Sequence, residues 1–257
     1  MIPIIAIANF INGLIAGILA IRVYVRYRKR ASESYPTTGV RYFIILYSCL
    51  TAMWLLYAAP GLFVTDTFNI MILQSLADVF VYVGAIIGVQ ISFFALNRRS
   101  AGTIVSIIMA TAAVIYVFGR LFNHLPHIRE EVLPYVYWRP DIPIWLPLLT
   151  GIVATLSSLF FVVTFLRLGY RARSNTLVFR RSLYLAIGMA FLFLASLAFF
   201  VLTATGLFFT MIMGASVLGI AGHLVMLNGI PYRDEHNQQV ETYHASMQAS
   251  AAERNAT

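Results

Sequence analysis

The chain has 257 residues, of which 60% are hydrophobic and only 11% charged, with a formal net charge of +8. Soluble proteins carry about 25% charged residues, so a water-soluble core is excluded. The positive charge is concentrated between apolar stretches, which marks it as membrane orientation and contact with anionic head groups, not as a nucleic-acid footprint.

Seven apolar runs cover most of the chain, at residues 2–21, 42–62, 70–96, 101–122, 144–166, 182–204 and 207–227. Each has about the 20 residues that a helix needs to cross a bilayer. The expectation is an all-α polytopic bundle of seven transmembrane helices over residues 1–230, followed by a polar tail, 231–257. The last two runs are divided only by Thr205 and Gly206, so this hairpin is the weakest point of the count.

The first run starts within a residue or two of Met1 and is followed by Arg22, Arg26, Arg28, Lys29 and Arg30. That order predicts an uncleaved anchor with an exported N-terminus. Arg98 and Arg99 in the third connection, and Arg167, Arg171, Arg173, Arg180 and Arg181 around the fifth, place the same face inside. The N-terminus is therefore expected outside and the tail in the cytoplasm, in the cell's cytoplasmic (inner) membrane. The segment from Arg22 to Arg30 is expected to contact anionic lipid or a cytoplasmic partner.

Of the ten acidic residues, only Asp78 falls well within a run. An ionisable group there is costly unless paired, protonated or facing a wet cavity, which makes it a candidate functional residue. Gln74, Asp78 and Tyr82 share one face of the third helix by their spacing of four, with Asp78 about 12 Å from the outer end of its run. Asn9, Asn12, Trp54 and Tyr57 fall at similar depth, as do Thr155, Ser196, Thr203 and Ser216. Together they predict a polar cavity in the outer half, although Ser and Thr side chains also bond their own helix backbone.

The fourth connection holds four prolines and the aromatic run Tyr135, Tyr137 and Trp138, which suits an interfacial belt or a lid over the bundle mouth. His124, His127, Glu130 and Glu131 lie there too, but without the spacing of a zinc signature, so no metal or other cofactor is expected. His223 is the only histidine in a run, which argues against bis-histidine haem. No Lys lies in any run to form a retinal Schiff base, and Gly-x-Ser-x-Gly and His-Glu-x-x-His motifs are absent from the sequence. No catalytic residues are therefore assigned. Cys49, the only cysteine, reads as a small core residue. Gly13/Gly17 and Gly84/Gly88 are Gly-x-x-x-Gly pairs, read as close helix packing within the bundle or in a homo-oligomer.

The N-out seven-helix layout, Arg41-Tyr42-Phe43 before a Trp-bearing second helix, and Arg180-Arg181 opening the sixth resemble the membrane sensor region of some bacterial histidine kinases. The resemblance implies signalling through a separate protein partner in the membrane or cytoplasm, because a kinase domain does not follow. The leading expectation is a non-enzymatic sensor or receptor-like protein with a small or lipidic ligand in the outer half. A proton- or cation-coupled transporter or channel using Asp78 is the alternative, and a structural subunit of a membrane complex is a third.

Overall fold

In the computed structural model, which describes residues 2–31, 38–123, 127–132, 134–201 and 208–230, the chain folds into seven long helices and one β-hairpin. The helices are α1 (Ile4–Ala31), α2 (Thr38–Leu62), α3 (Thr67–Ala95), α4 (Arg99–Phe122), α5 (Trp145–Arg171), α6 (Thr176–Ser196) and α7 (Phe208–Gly229). All seven have the length and apolarity of membrane spans, so this is a polytopic membrane protein. Thr203, Thr205, Gly206 and the tail from Pro231 lie outside the described residues, yet α6 and α7 are separate spans and the count is seven.

The helices run past the apolar stretches at their basic ends: α1 continues to Ala31 and α5 to Arg171, while α6 begins at Thr176. Hydropathy marks where lipid ends, whereas Arg and Lys are good helix formers that carry the backbone on into the head-group region. Asp66 and Asn175 cap α3 and α6 by accepting from the backbone N–H groups of Asn69 and Val178. Consecutive helices are antiparallel neighbours, which gathers the arginine-rich connections at one end of the bundle. The N-terminus and the link between α4 and α5 gather at the other.

That link forms an antiparallel hairpin of β1 (Ile128–Val132) and β2 (Tyr135–Arg139), an element that the apolar pattern of the sequence does not announce. It is pinned to the start of the chain: the Ile2 N–H donates to the Pro134 carbonyl at 3.0 Å, and the Val136 N–H to the Ile2 carbonyl at 3.1 Å. It also rests on the break in α2. Gly61 takes φ +85°, and a Cβ there would stand 2.7 Å from the Trp138 ring and 3.1 Å from Pro3. Only glycine fits that conformation and that approach.

The arginine-rich end is solid. Val23, Tyr47, Phe161, Met226 and Ile230 are almost wholly buried in one cluster there. Helices α6 and α7 meet backbone to backbone at Gly188 and Gly222, where an added Cβ would come within 2.5 Å and 2.8 Å of the facing main chain. Gly13 and Gly17 face Leu55 and Thr51 of α2 and so pack helices as expected. Gly84 and Gly88 do not: a Cβ at Gly88 would meet nothing within 4 Å, and one at Gly84 only Leu46 at 3.9 Å. The second pair opens onto a cavity.

Candidate functional site

The hairpin end contains a cavity with about 100 Å³ of space for water centres, lined by residues of α1, α2, α3, α4, the hairpin, α5 and α7. This is room for several waters. Helix α3 supplies Gln74 and Asp78; from the observed start at Thr67, Asp78 lies about 16 Å along the helix, deeper than the apolar run alone suggests. The two carboxylate oxygens of Asp78 accept from different helices, one from the Tyr57 hydroxyl of α2 and the other from the Tyr116 hydroxyl of α4. Asp78 thus ties three helices together while forming part of the cavity wall.

Tyr116 and Arg120 reach the cavity because α4 lies at the edge of the bundle. Ile104, Ile107, Ile108 and Ile115 are exposed on its lipid side, and the buried stripe is only Gly102, Met109, Tyr116 and Arg120. These recur at intervals of seven, seven and four, one narrow face of a helix. Arg120 is 4% exposed; its Nε donates to the Ser75 hydroxyl at 3.1 Å, and its Nη1 is buried without a hydrogen-bond partner among the described residues. Arg120 and Asp78 line the same cavity but form no ion pair. Tyr116 and Arg120 belong to the site although the apolar pattern does not single them out. A signal for Arg120 is present, since it is the only Arg or Lys inside any of the seven apolar runs.

The hairpin forms the upper wall through Val136, Tyr137 and Trp138. Val136 and Tyr137 are buried, so the aromatic run covers the mouth of the bundle. The Tyr137 hydroxyl and Arg139 Nε both donate to Glu130, each at 2.5 Å. These contacts hold the Glu130 carboxyl below its ordinary range, the tyrosine bond contributing most, while burial and the nearby carboxylate push Tyr137 up to about 12. His127 Nε2 meets Gln74 Oε1 at 2.5 Å, so the residue weighed for a metal instead fastens the hairpin to α3. Burial, reinforced by the charge of Arg120, depresses His127 to about 4 and leaves it neutral at pH 7. Glu131 pairs with Arg129 on the outer face, and His124 lies outside the described residues.

The remaining sequence candidates divide. Asn9 lines the cavity, donates to the Tyr57 carbonyl at 3.3 Å, and keeps a buried Oδ1 without a partner among the described residues. Asn12 does not line it; its amide donates to the carbonyls of Ala8 and Ser216 and bolts α1 to α7. Tyr82 stands behind the wall, its hydroxyl accepting from Thr150 and its ring 5.7 Å from that of Tyr116. Thr155 and Ser216 keep buried hydroxyls without partners among the described residues and do not line the cavity. Trp54 lies lower, where its Nε1 donates to His223 Nε2 at 3.3 Å.

Below the first cavity is a second, with about 90 Å³ of space for water centres, and Trp54, Gly84, Gly88 and Ser196 are in its wall. Tyr57, Phe199 and Phe200 belong to both walls and form the partition. Phe199 packs 5.2 Å from Tyr57 and 4.8 Å from Phe200, ring centre to ring centre. Both phenylalanines come from a π-helical turn, Leu197–Val201, that continues α6. A π turn is a local widening common at functional sites, and here it supplies adjacent side chains to one partition.

No family model matches the chain, and no curated protein is significantly similar to it. Its fold and its cavities therefore stand on the chain's own residues. At the basic end, Arg22 and Arg28 are exposed and Arg26 is half-buried, while the side chains of Lys29 and Arg30 lie outside the described residues.

Proposed function

We propose that the chain is a non-enzymatic sensor or receptor-type membrane protein that binds a small or lipidic ligand in the hairpin-end cavity. The hairpin end faces out of the cytoplasm, and occupancy passes to a separate protein partner at the arginine-rich end. One observation carries the reading. A largely apolar cavity that holds Asp78, Gln74 and a guanidinium nitrogen unpartnered among the described residues lies under the hairpin, and an aromatic partition forms its floor.

A carrier needs a polar route onward to the opposite face. Below the partition the wall is hydrocarbon, aromatic and glycine, with Ser157, Ser158 and Ser196 as the only aliphatic hydroxyls among the described residues, and the packed cluster around Phe161 lies beyond. This supports a pocket closed below over coupled transport through Asp78. The basic face, with Arg98, Arg99 and Arg171, gives the orientation its support through the positive-inside rule. The resemblance to kinase sensor regions is consistent with this role and rests on layout alone.

Two measurements test the proposal. In a Cys49→Ala background, Ile142→Cys in the cavity wall should react with a membrane-impermeant maleimide applied to intact cells, and Ala172→Cys should react only after lysis. Proteoliposomes under an imposed proton or sodium gradient should show no flux. Flux abolished by Asp78→Asn would establish the carrier reading instead, and reversed labelling would overturn the orientation.

A further inference from the structure

Three features of the two cavities remain unused by a generic ligand pocket. First, Arg120, in the last turn of α4, brings a guanidinium into the protein interior at 4% exposure, and among the described residues it has no ion-pair partner and its Nη1 is buried and unsatisfied. A buried cation in that position calls for an anion. Trp138 Nε1 is a second buried donor without a partner among the described residues, in the wall of the same cavity. The Asp78 carboxylate lines the same cavity, but its two oxygens accept from tyrosine hydroxyls and it makes no direct contact with the guanidinium, which leaves Nη1 for a second anion. A head group offering two acceptor oxygens matches the two unused donors, and a carboxylate also supplies the charge.

Second, the lower cavity is apolar and is held open by residues with no side chain. Gly88 presents its Cα to open space, and Gly84 nearly so. The surrounding wall includes Met53, Ala85, Met189 and Leu192. Such a space suits hydrocarbon and repels water. Third, the two cavities share Tyr57, Phe199 and Phe200, so only a layer of aromatic rings divides the place for an anion from the place for hydrocarbon. Two of those rings come from the π-helical turn. From Asp78 to Gly88 is about 15 Å along α3, the length of an alkyl chain.

We infer that the ligand is a single-chain amphiphile with a carboxylate head, bound with the head at Arg120 and Trp138 and the alkyl tail past Phe199 into the cavity walled by Gly84 and Gly88. The inference rests on the hairpin-end cavity being a ligand site and names the class of ligand it takes. Binding moves the Phe199 ring aside, which couples occupancy of the upper cavity to the position of the π-helical turn.

The test uses the 257-residue chain in lipid nanodiscs and dodecanoate bearing a diazirine at the end of its tail, with adducts mapped by mass spectrometry after irradiation. Adducts are expected on the lower wall, at Met53, Met189 or Leu192. Unlabelled dodecanoate should displace them at least tenfold more effectively than dodecanol. Arg120→Gln should lower the adduct yield at least tenfold, with Arg120→Lys retaining part of it. Gly88→Leu should lower it to the same extent by filling the cavity, whereas Gly88→Ala should keep most of it. Wild-type adducts confined to lipid-facing side chains such as Ile107 and Ile108 would overturn the inference without recourse to any variant. Equal competition by dodecanol would remove the carboxylate. If dodecanoate fails while Ile142→Cys is still labelled from outside and no flux appears, the ligand class falls and the receptor reading stands. Flux through Asp78 removes the receptor reading whatever dodecanoate does.

Discussion

At the arginine-rich end, Tyr47, Phe161 and Met226 are fully buried in one cluster, and glycines bring α6 and α7 into main-chain contact. At the hairpin end the same seven helices stand apart around a cavity, joined by Asp78 to Tyr57 and Tyr116, by Gln74 to His127 and by Arg120 to Ser75. One end is held by close packing and the other by hydrogen bonds. In a membrane the first kind of contact provides most of the association energy, because hydrogen bonds between helices contribute modestly. The packed end therefore supplies stability, and the bonded end is free to be a site.

The largest effect should come from breaking the packed end. Gly188→Leu drives a side chain into the α7 main chain and should destabilise the bundle by about 3 kcal/mol or more, read as a lower midpoint in reversible detergent unfolding. Asp78→Leu, at the bonded end, leaves two tyrosine hydroxyls without their acceptor and should cost about 0.6 to 2 kcal/mol, with Asp78→Asn costing less. If Asp78→Leu matched Gly188→Leu, the division between the two ends would fail.

A pH effect should appear at the hairpin. His127 has a folded value near 4 against an ordinary 6.5, so the unfolded or undocked state binds the proton more readily. Docking strength from this group is complete above about pH 6.5 and is lost as pH falls toward 4. Amide hydrogen exchange in residues 127–139 should therefore accelerate over that window, and His127→Gln should flatten the response there. The smallest effect belongs to Gly88→Ala. Its methyl enters open space, so stability should stay within about 1 kcal/mol of wild type in the same unfolding assay. A large loss there would mean that Gly88 packs a helix after all.

Much of the site is legible in the amino-acid sequence. Asp78 stands out because a lone carboxylate in an apolar run is conspicuous, and the spacing of four leads to Gln74 on the same helix face. Asn9 and Tyr57 follow from depth alone, whereas Trp54 lies in the wall of the second cavity. Depth does not say which way a helix is turned, however, so Asn12 and Tyr82 share the right level but bind neighbouring helices. Arg120 is visible as a charge inside a run; only the position of α4 at the bundle edge shows that its narrow buried stripe aims this charge inward. The hairpin is hidden because its residues are mixed in polarity and carry no simple alternation. Its strands are fixed by Ile2 and Trp138 contacts from distant parts of the chain.

Local composition is enough to set the number of spans and the end of the bundle at which the arginines collect. Both follow from transfer of individual residues between water and lipid, which each stretch of chain undergoes on its own. Packing in three dimensions is what settles which glycine pair closes a helix contact and which opens a cavity. It also sets Phe199 and Phe200, on their π-helical turn, between a cavity that carries charged side chains and one that carries none. Such outcomes depend on the rotation of each helix about its axis and on contacts between residues far apart in the chain, and no local window of sequence contains either.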